Sequence, residues 1–380
     1  MTGAMSQRLA RAALTWLAEP GDRLLGALLR GHDPVEVVAA IKAGRLPGRP
    51  EGIGQRALGR AVRRWAARSG DLPSEADLAA WQKRGIRLIC PGDVEWPTQV
   101  SSLGDTSPYA LWLRGSADLR FGCLRSVSLV GSRAATAYGS HVCTEMAAAL
   151  GEHGWTTISG GAYGIDGCAH RGALAAEGLT IAVLACGVDR YYPAGHAELL
   201  DAIAAQGVLV SEWPPGRRPT RHGFLVRNRL IAALTRGTVV VEASLRSGAL
   251  STARHARDIC RPLMAVPGPV TSPASAGCHE IIREWGAICV TDAADVLEQV
   301  AVAGDHLLPP RRGPVLPRDQ LDEDTARVLE AVPARSGARS AEIAISAGVD
   351  ADTAIRCLGA LAAAGFIERC DRGWRIRWTT

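Results

Sequence analysis

Between Ser126 and Val300 the chain repeats one pattern: a short run that is apolar throughout, then a stretch of roughly ten to fifteen residues with helical spacing. The runs are SVSLV, WTTIS, TIAVLA, GVLVS, GTVVVE and RPLMAV. A strand that alternates apolar and polar residues can leave one face in water. These strands cannot, because apolar side chains leave both of their faces, and the intervening helices are the cover such a sheet needs. The expected fold class is therefore α/β: an extended Rossmann-like, largely parallel sheet, assigned to residues 81–303.

The flanks read differently. Met5 to Arg68 carries Ala, Leu and Trp at helical spacings, punctuated at Pro20-Gly21, Gly31 and Pro47-Gly48, so residues 1–80 are expected to form a helical N-terminal domain. Within it, Gly52-Ile53-Gly54 precedes an arginine-rich amphipathic stretch ending at Arg68. That is either a helix-hairpin-helix turn whose amides meet a phosphate or a plain glycine turn in a bundle with a solvated basic face. IRLIC (Ile86 to Cys90) and YALWLRG (Tyr109 to Gly115) read as strands leading into the sheet. Residues 304–320, including LLPPRRGPVLPRD, are too rich in proline for helix or ladder and read as a linker. In residues 321–380, helices are expected near Thr325 to Glu330, Ser340 to Ala347 and Ala351 to Ala364, then a hairpin turning at Asp371-Arg372-Gly373. That order is a C-terminal winged helix.

Composition narrows the function less than the loops do. A net charge of +5 over 380 residues is mild, and the only lysines are Lys42 and Lys83. The 10 cysteines form no C-x-x-C pair and no secretory leader precedes them, so buried reduced thiols and a cytoplasmic location are expected. No apolar stretch approaches the ~20 residues that span a bilayer. Cys278, His279 and Cys289 lack metal-ligand spacing and are expected to pack. No P-loop, zincin motif or nucleophile elbow occurs, so no metal, cofactor or catalytic group is expected.

In parallel α/β sheets ligands meet the carboxyl ends of strands. The first strand of the repeat ends in Gly131-Ser132-Arg133, offering close backbone approach, a hydroxyl and a guanidinium. It lacks G-x-G-x-x-G, and Glu152 sits late in a helix, so a dinucleotide site is not supported. The second strand runs into Gly160, Gly161 and Gly164, a candidate anion nest, with Asp166 as a possible helix cap and His170 as a structural histidine. Ser247 and Gly248 offer small donors at another helix start, and Glu242 could orient an arginine from the preceding helix. The richest segment runs from Leu209 to Leu234. No acid occurs between Trp213 and Val241, while Arg217, Arg218, Arg221, His222, Arg227, Arg229 and Arg236 all fall there around Phe224. Basic groups beside an aromatic ring suit single-stranded nucleic acid, where charge tracks the backbone and the ring stacks on a base. The plain alternative is a core phenylalanine on a helix with a solvated basic face.

Taken together, GSR, SGGAYGIDGCAH, TIAVLACGVDRYYP, SEWPPGRRPTRHGFLVRNRLIAAL, VVVEASLRSGALSTA and RPLMAVPGPV resemble, in this order, the DNA-processing protein A (DprA/Smf) family. The resemblance implies a protein that binds single-stranded DNA, forms a homodimer and helps load the RecA recombinase during natural transformation, and not an enzyme. It implies a pocket of Gly131, Ser132, Arg133, Gly160, Gly161, Gly164, Arg221, Phe224, Arg227, Asn228 and Arg229, with Phe224 stacking on a base. Two positions depart from the family pattern: Gly223-Phe224-Leu225 replaces a frequent Phe-Pro, and His196 stands where many members carry Asn. Two rival readings are a phosphoribohydrolase-like nucleotide-processing enzyme, whose P-G-G-x-G-T-x-x-E motif is missing, and a winged-helix regulator with a ligand-sensing α/β domain. The second expects base-reading side chains between Ala351 and Ala364, where Arg356 is the only basic residue.

Overall fold

The computed structural model describes residues 3–48, 54–302 and 315–378. Four helices come first: α1 (Gly3–Leu17), α2 (Arg23–Gly31), α3 (Pro34–Lys42) and α4 (Gln55–Ala66). Asp22 caps α2, its Oδ1 accepting from the Leu24 amide at 3.0 Å, and Asp33 caps α3 from the Val35 amide at 2.8 Å. The Gly52-Ile53 turn lies outside the described residues. After α5 (Glu75–Lys83) the chain enters the sheet through β1 (Ile86–Ile89) and β2 (Leu111–Gly115), then α6 (Leu119–Leu124).

From there strands and helices alternate as the apolar runs predict: β3 (Ser126–Gly131), α7 (Ala137–Glu152), β4 (Thr156–Ser159), α8 (Ile165–Ala175), β5 (Thr180–Leu184), α9 (Ala197–Gln206), β6 (Val208–Ser211), α10 (Arg221–Leu234), β7 (Gly237–Glu242), α11 (Ala249–Asp258), β8 (Leu263–Ala265), α12 (Ala276–Trp285), β9 (Ile288–Cys289) and α13 (Ala293–Val300). The nine strands form one sheet in the order β1-β2-β6-β5-β4-β3-β7-β8-β9. β1 and β2 pair antiparallel; every pair from β6 through β9 is parallel. Every residue of β4, β5, β6 and β7 is buried. Two of the serines inside the sheet are bonded within it: Ser128 Oγ reaches Thr238 Oγ1 at 2.8 Å, and Ser159 Oγ donates to the Leu129 carbonyl at 2.7 Å. Strands β3 to β6 run one way from β3, and β7 to β9 run the other. The order thus reverses between β3 and β7, where a crevice opens at the strands' carboxyl ends.

The expected boundary near residue 80 does not separate compact units. Met1–Leu308 clusters as one body, and Pro309–Thr380 as another. Ala12 of α1 shares a buried cluster with Ile86, Leu88, Trp112, Leu184 and Leu209. Trp112 of β2 packs edge-on against Trp16 and Trp81, with ring centroids 5.7 and 5.2 Å apart. Glu19 pairs with both Arg68 at 3.1 Å and Arg217 at 3.0 Å, tying the helical layer to the loop before α10.

The second body holds α14 (Glu323–Ala331), α15 (Ser340–Ala347), α16 (Ala351–Ala363) and the antiparallel pair β10 (Ile367–Cys370) and β11 (Gly373–Ile376). Val328, Ile343, Cys357, Leu358, Leu361 and Ile367 form its core. Gly348 closes α15 with φ 64°, a left-handed turn that glycine adopts without strain. Most of the linker, residues 303–314, lies outside the described residues. Two thiol expectations are corrected: Cys260 and Cys289 are exposed, Cys289 because it sits on the short edge strand β9 with no strand beyond it among the described residues. Among the described residues no helix is long and apolar enough to cross a membrane.

Candidate nucleic-acid interface

At the carboxyl end of β3 the chain must turn tightly. A Cβ on Gly131 would press into Ile165 and the Glu242 carbonyl, so glycine is required there, and the Ser132 amide donates to that carbonyl at 2.6 Å. Across the crevice, Thr220 caps α10 by accepting from the Gly223 amide at 3.0 Å. From that start Arg221, Phe224, Asn228 and Ile231 recur at helical spacing and form one stripe. The stripe faces the β3 loop across a cleft of about 780 Å³, which also takes in Ser247 and Gly248.

Phe224 is neither core nor free. It is half-buried, and the Arg133 guanidinium carbon lies 4.8 Å over its ring, that of Arg227 6.0 Å away, and the Tyr192 ring 5.5 Å away at a 45° tilt. Arg133 and Arg221 are exposed, so their charges meet the cleft through water. Arg227 is buried at 4% exposure, where burial lowers its pKa against the opposing pull of Asp166. It donates through Nη1 to the Val183 carbonyl at 2.7 Å, while its Nε has no partner among the described residues. Asp166 also lines the cleft. Burial raises its pKa, opposed first by the Arg227 charge, and its Oδ2 accepts from the Ala162 amide at 3.3 Å. Asn228 donates to the Gly248 carbonyl at 3.2 Å, and Ser247 Oγ accepts from the Ala249 amide at 3.3 Å; both contacts fix the opposite wall.

Of the residues singled out in the sequence, Gly131, Ser132, Arg133, Arg221, Phe224, Arg227, Asn228, Ser247 and Gly248 line this one cleft. Arg229 does not. It is buried on another side of α10 and makes a bidentate pair with Glu212, both contacts 2.8 Å. Gly160, Gly161 and Gly164 do not line it either. Gly160 is glycine because the Arg227 guanidinium fills the place of a Cβ, and Gly164 because the Ser132 and Arg133 carbonyls do. The amides of this loop are partly spent inside the fold, Ala162 on Asp166 and Ile165 on the Ser132 carbonyl, so these glycines shape the cleft's floor. Glu242 does not orient an arginine; it holds the Thr136 amide at 2.9 Å and the Thr136 hydroxyl at 2.7 Å. His170 is structural: buried against Thr180 Oγ1 at 2.7 Å, its pKa is pushed down to about 3 by loss of solvent.

Sequence reasoning missed Tyr192, Asp166 as a wall residue, and Glu212 as the partner of Arg229. Tyr192 is signalled only by its place in the Tyr191-Tyr192-Pro193 run after β5, since the ring reaches Phe224 across the sheet's end. Among the described residues no cluster of His, Cys, Asp and Glu could hold a metal ion.

Residues 87–301 match the sequence model of the DNA recombination-mediator protein A family. A Mycobacterium tuberculosis protein provisionally named DNA processing protein DprA is 46% identical over 379 residues, spanning 96% of this chain and 93% of that protein. The Bacillus subtilis DNA processing protein DprA is 35% identical over 223 residues, 59% of this chain and 74% of that one. The crystal structure of DNA processing protein A from Streptococcus pneumoniae superposes with a TM-score of 0.63 at 30% identity, covering 78% of this chain and 98% of that chain. The Helicobacter pylori DNA processing protein A, described for its single-stranded DNA binding mode, gives 0.50 at 28% identity over 56% of this chain and 94% of its own.

Proposed function

The chain belongs to the DNA recombination-mediator protein A family, and from that premise we propose that the cleft between β3 and α10 binds single-stranded DNA. The observation that carries the reading is Phe224, a half-buried ring held at the cleft wall among Arg133, Arg227 and Tyr192. An exposed cation–π contact is worth about 0.5–1 kcal/mol, whereas a stacked base is worth about 1–3 kcal/mol. A strand therefore displaces Arg133 from the ring, and the freed guanidinium takes a phosphate. The Helicobacter pylori relative, described by its single-stranded DNA binding mode, supports this reading.

The protein is a binder and not a catalyst: its cleft acid, Asp166, is buried beside Arg227 and engaged by the Ala162 amide, holding the loop in place. It acts in the cytoplasm as a homodimer, processing DNA in recombination and transformation and loading RecA; the family resemblance carries these partners. The body from α14 to β11 has the helix-helix-helix-hairpin order of a winged helix. The test is an anisotropy titration of labelled single- and double-stranded oligonucleotides at low and high salt. Single strands bind more tightly, with affinity falling steeply as salt rises. Equal affinity for both forms, or release of free base from nucleoside monophosphates, overturns the proposal.

A further inference from the structure

The cleft does not end at Phe224. Tyr192 and Pro219 line it on one side and on the other line a second cavity of about 580 Å³, shared with Arg190 and Arg218. We propose that this adjoining cavity is a second nucleotide-binding subsite, reached by a strand that leaves the cleft across the Tyr192 ring. The proposal rests on the single-strand reading of the cleft and extends it.

Three observations support it. First, Tyr192 is 44% exposed, and its hydroxyl has no partner among the described residues. Its neighbour Tyr191 is engaged elsewhere, its hydroxyl on Asp201 and the Arg114 guanidinium carbon 5.3 Å from its ring. The Tyr192 ring is tilted 45° to Phe224 and not stacked on it, so it keeps a face for a base. Second, the cavity's charge is net cationic. Its one acid, Asp189, is occupied by the Gly216 amide at 2.8 and 3.0 Å, while Arg218 is exposed and Arg190 spends only Nε, on the Gly216 carbonyl at 2.7 Å. The terminal nitrogens of both arginines remain for phosphate. Third, Tyr192 and Pro219 line both cavities, so the two are adjacent, and a strand passing from one to the other runs across the Tyr192 ring.

Anisotropy titrations of the full-length chain with oligodeoxythymidylates of increasing length test this. In the parent, affinity climbs once the oligomer is long enough to pass from the cleft into the second cavity. Tyr192→Leu, which keeps apolar bulk and removes the ring, lowers the ratio of long- to short-oligomer affinity by about tenfold. Arg190→Gln with Arg218→Gln lowers the same ratio and flattens the salt slope for long oligomers. Phe224→Ala instead weakens every length and leaves the ratio in place. If Tyr192→Leu weakens all lengths equally, Tyr192 merely supports Phe224 and the second subsite is wrong. If the arginine pair leaves the ratio untouched, it is wrong as well. A parent chain that binds no oligomer of any length would instead remove the cleft reading itself, which separates the two failures.

Discussion

Arg227 and Arg229 stand two positions apart on α10, about 200° around the helix axis, and their surroundings differ accordingly. Arg227 reaches the cleft, while Arg229 meets Glu212 in a pair whose side chains are 6% and 3% exposed. Removing one partner of such a pair strands the other charge in the interior, at a cost of about 3–5 kcal/mol. Arg229→Ala is therefore expected to shift the urea midpoint strongly. Arg133→Ala, at an exposed position, leaves that midpoint nearly unmoved. It weakens binding to all single-stranded sequences and flattens the salt slope, whereas Phe224→Ala weakens binding with the slope nearly kept. Salt-dependent anisotropy and urea titrations together check this contrast; an Arg133→Ala protein that binds like the parent would misplace the cleft. The off-stripe position of Arg229 was legible in its spacing from Phe224, but Glu212 as its partner was not, because strand and helix are brought together only by the sheet.

α8 packs on β4 and β5, and two of its buried residues make opposite demands on pH. His170 is neutral in the fold, with its pKa depressed from 6.5 to about 3. Between those two values the unfolded chain takes up a proton that the folded chain refuses. Stability therefore falls as pH drops through that window, by about 1.4 kcal/mol per pH unit. Asp166, whose pKa burial raises, acts with the opposite sign, because its folded form holds a proton that the unfolded carboxylate has released. Comparing denaturation of the parent and His170→Asn across mildly acid pH isolates the histidine: the variant should lose most of the acid slope, and an unchanged slope would place the cause elsewhere. The loop that leads into α8 carries a second demand. Gly160→Ala would drive a methyl into the buried Arg227 guanidinium, and overpacking of this kind costs about 1–3 kcal/mol. Weaker single-strand binding should accompany that loss of stability. The glycine-rich loop was visible in the sequence, but its purpose was not, since room for an arginine and room for an anion demand the same residue.

At the scale of the molecule, the cleft lies wholly within the first body, built from residues between Val130 and Thr252. A chain ending after residue 302 should stay folded and keep single-strand binding within about twofold, a difference well under the 1.4 kcal/mol of a tenfold change. Circular dichroism and anisotropy would show it, and loss of all binding would give the second body a direct role. Removing residues 1–80 is expected to do the reverse, exposing Trp112, Tyr109 and the apolar surface of β1 and β2 now covered by α1. Aggregation would follow.

Periodicity alone determined the central sheet. Strands apolar on both faces can be stable only inside a helix-covered parallel sheet, and the segment between Trp213 and Val241 carries its arginines without an acid. Both are local properties, carried by neighbours in the chain. Tertiary structure alone decided that Arg229 pairs with Glu212, that Tyr192 sits beside Phe224, and that the first helices join the main core. Each depends on residues far apart in sequence, such as Glu19 and Arg217 with 198 positions between their numbers, and only the strand order brings such residues within reach.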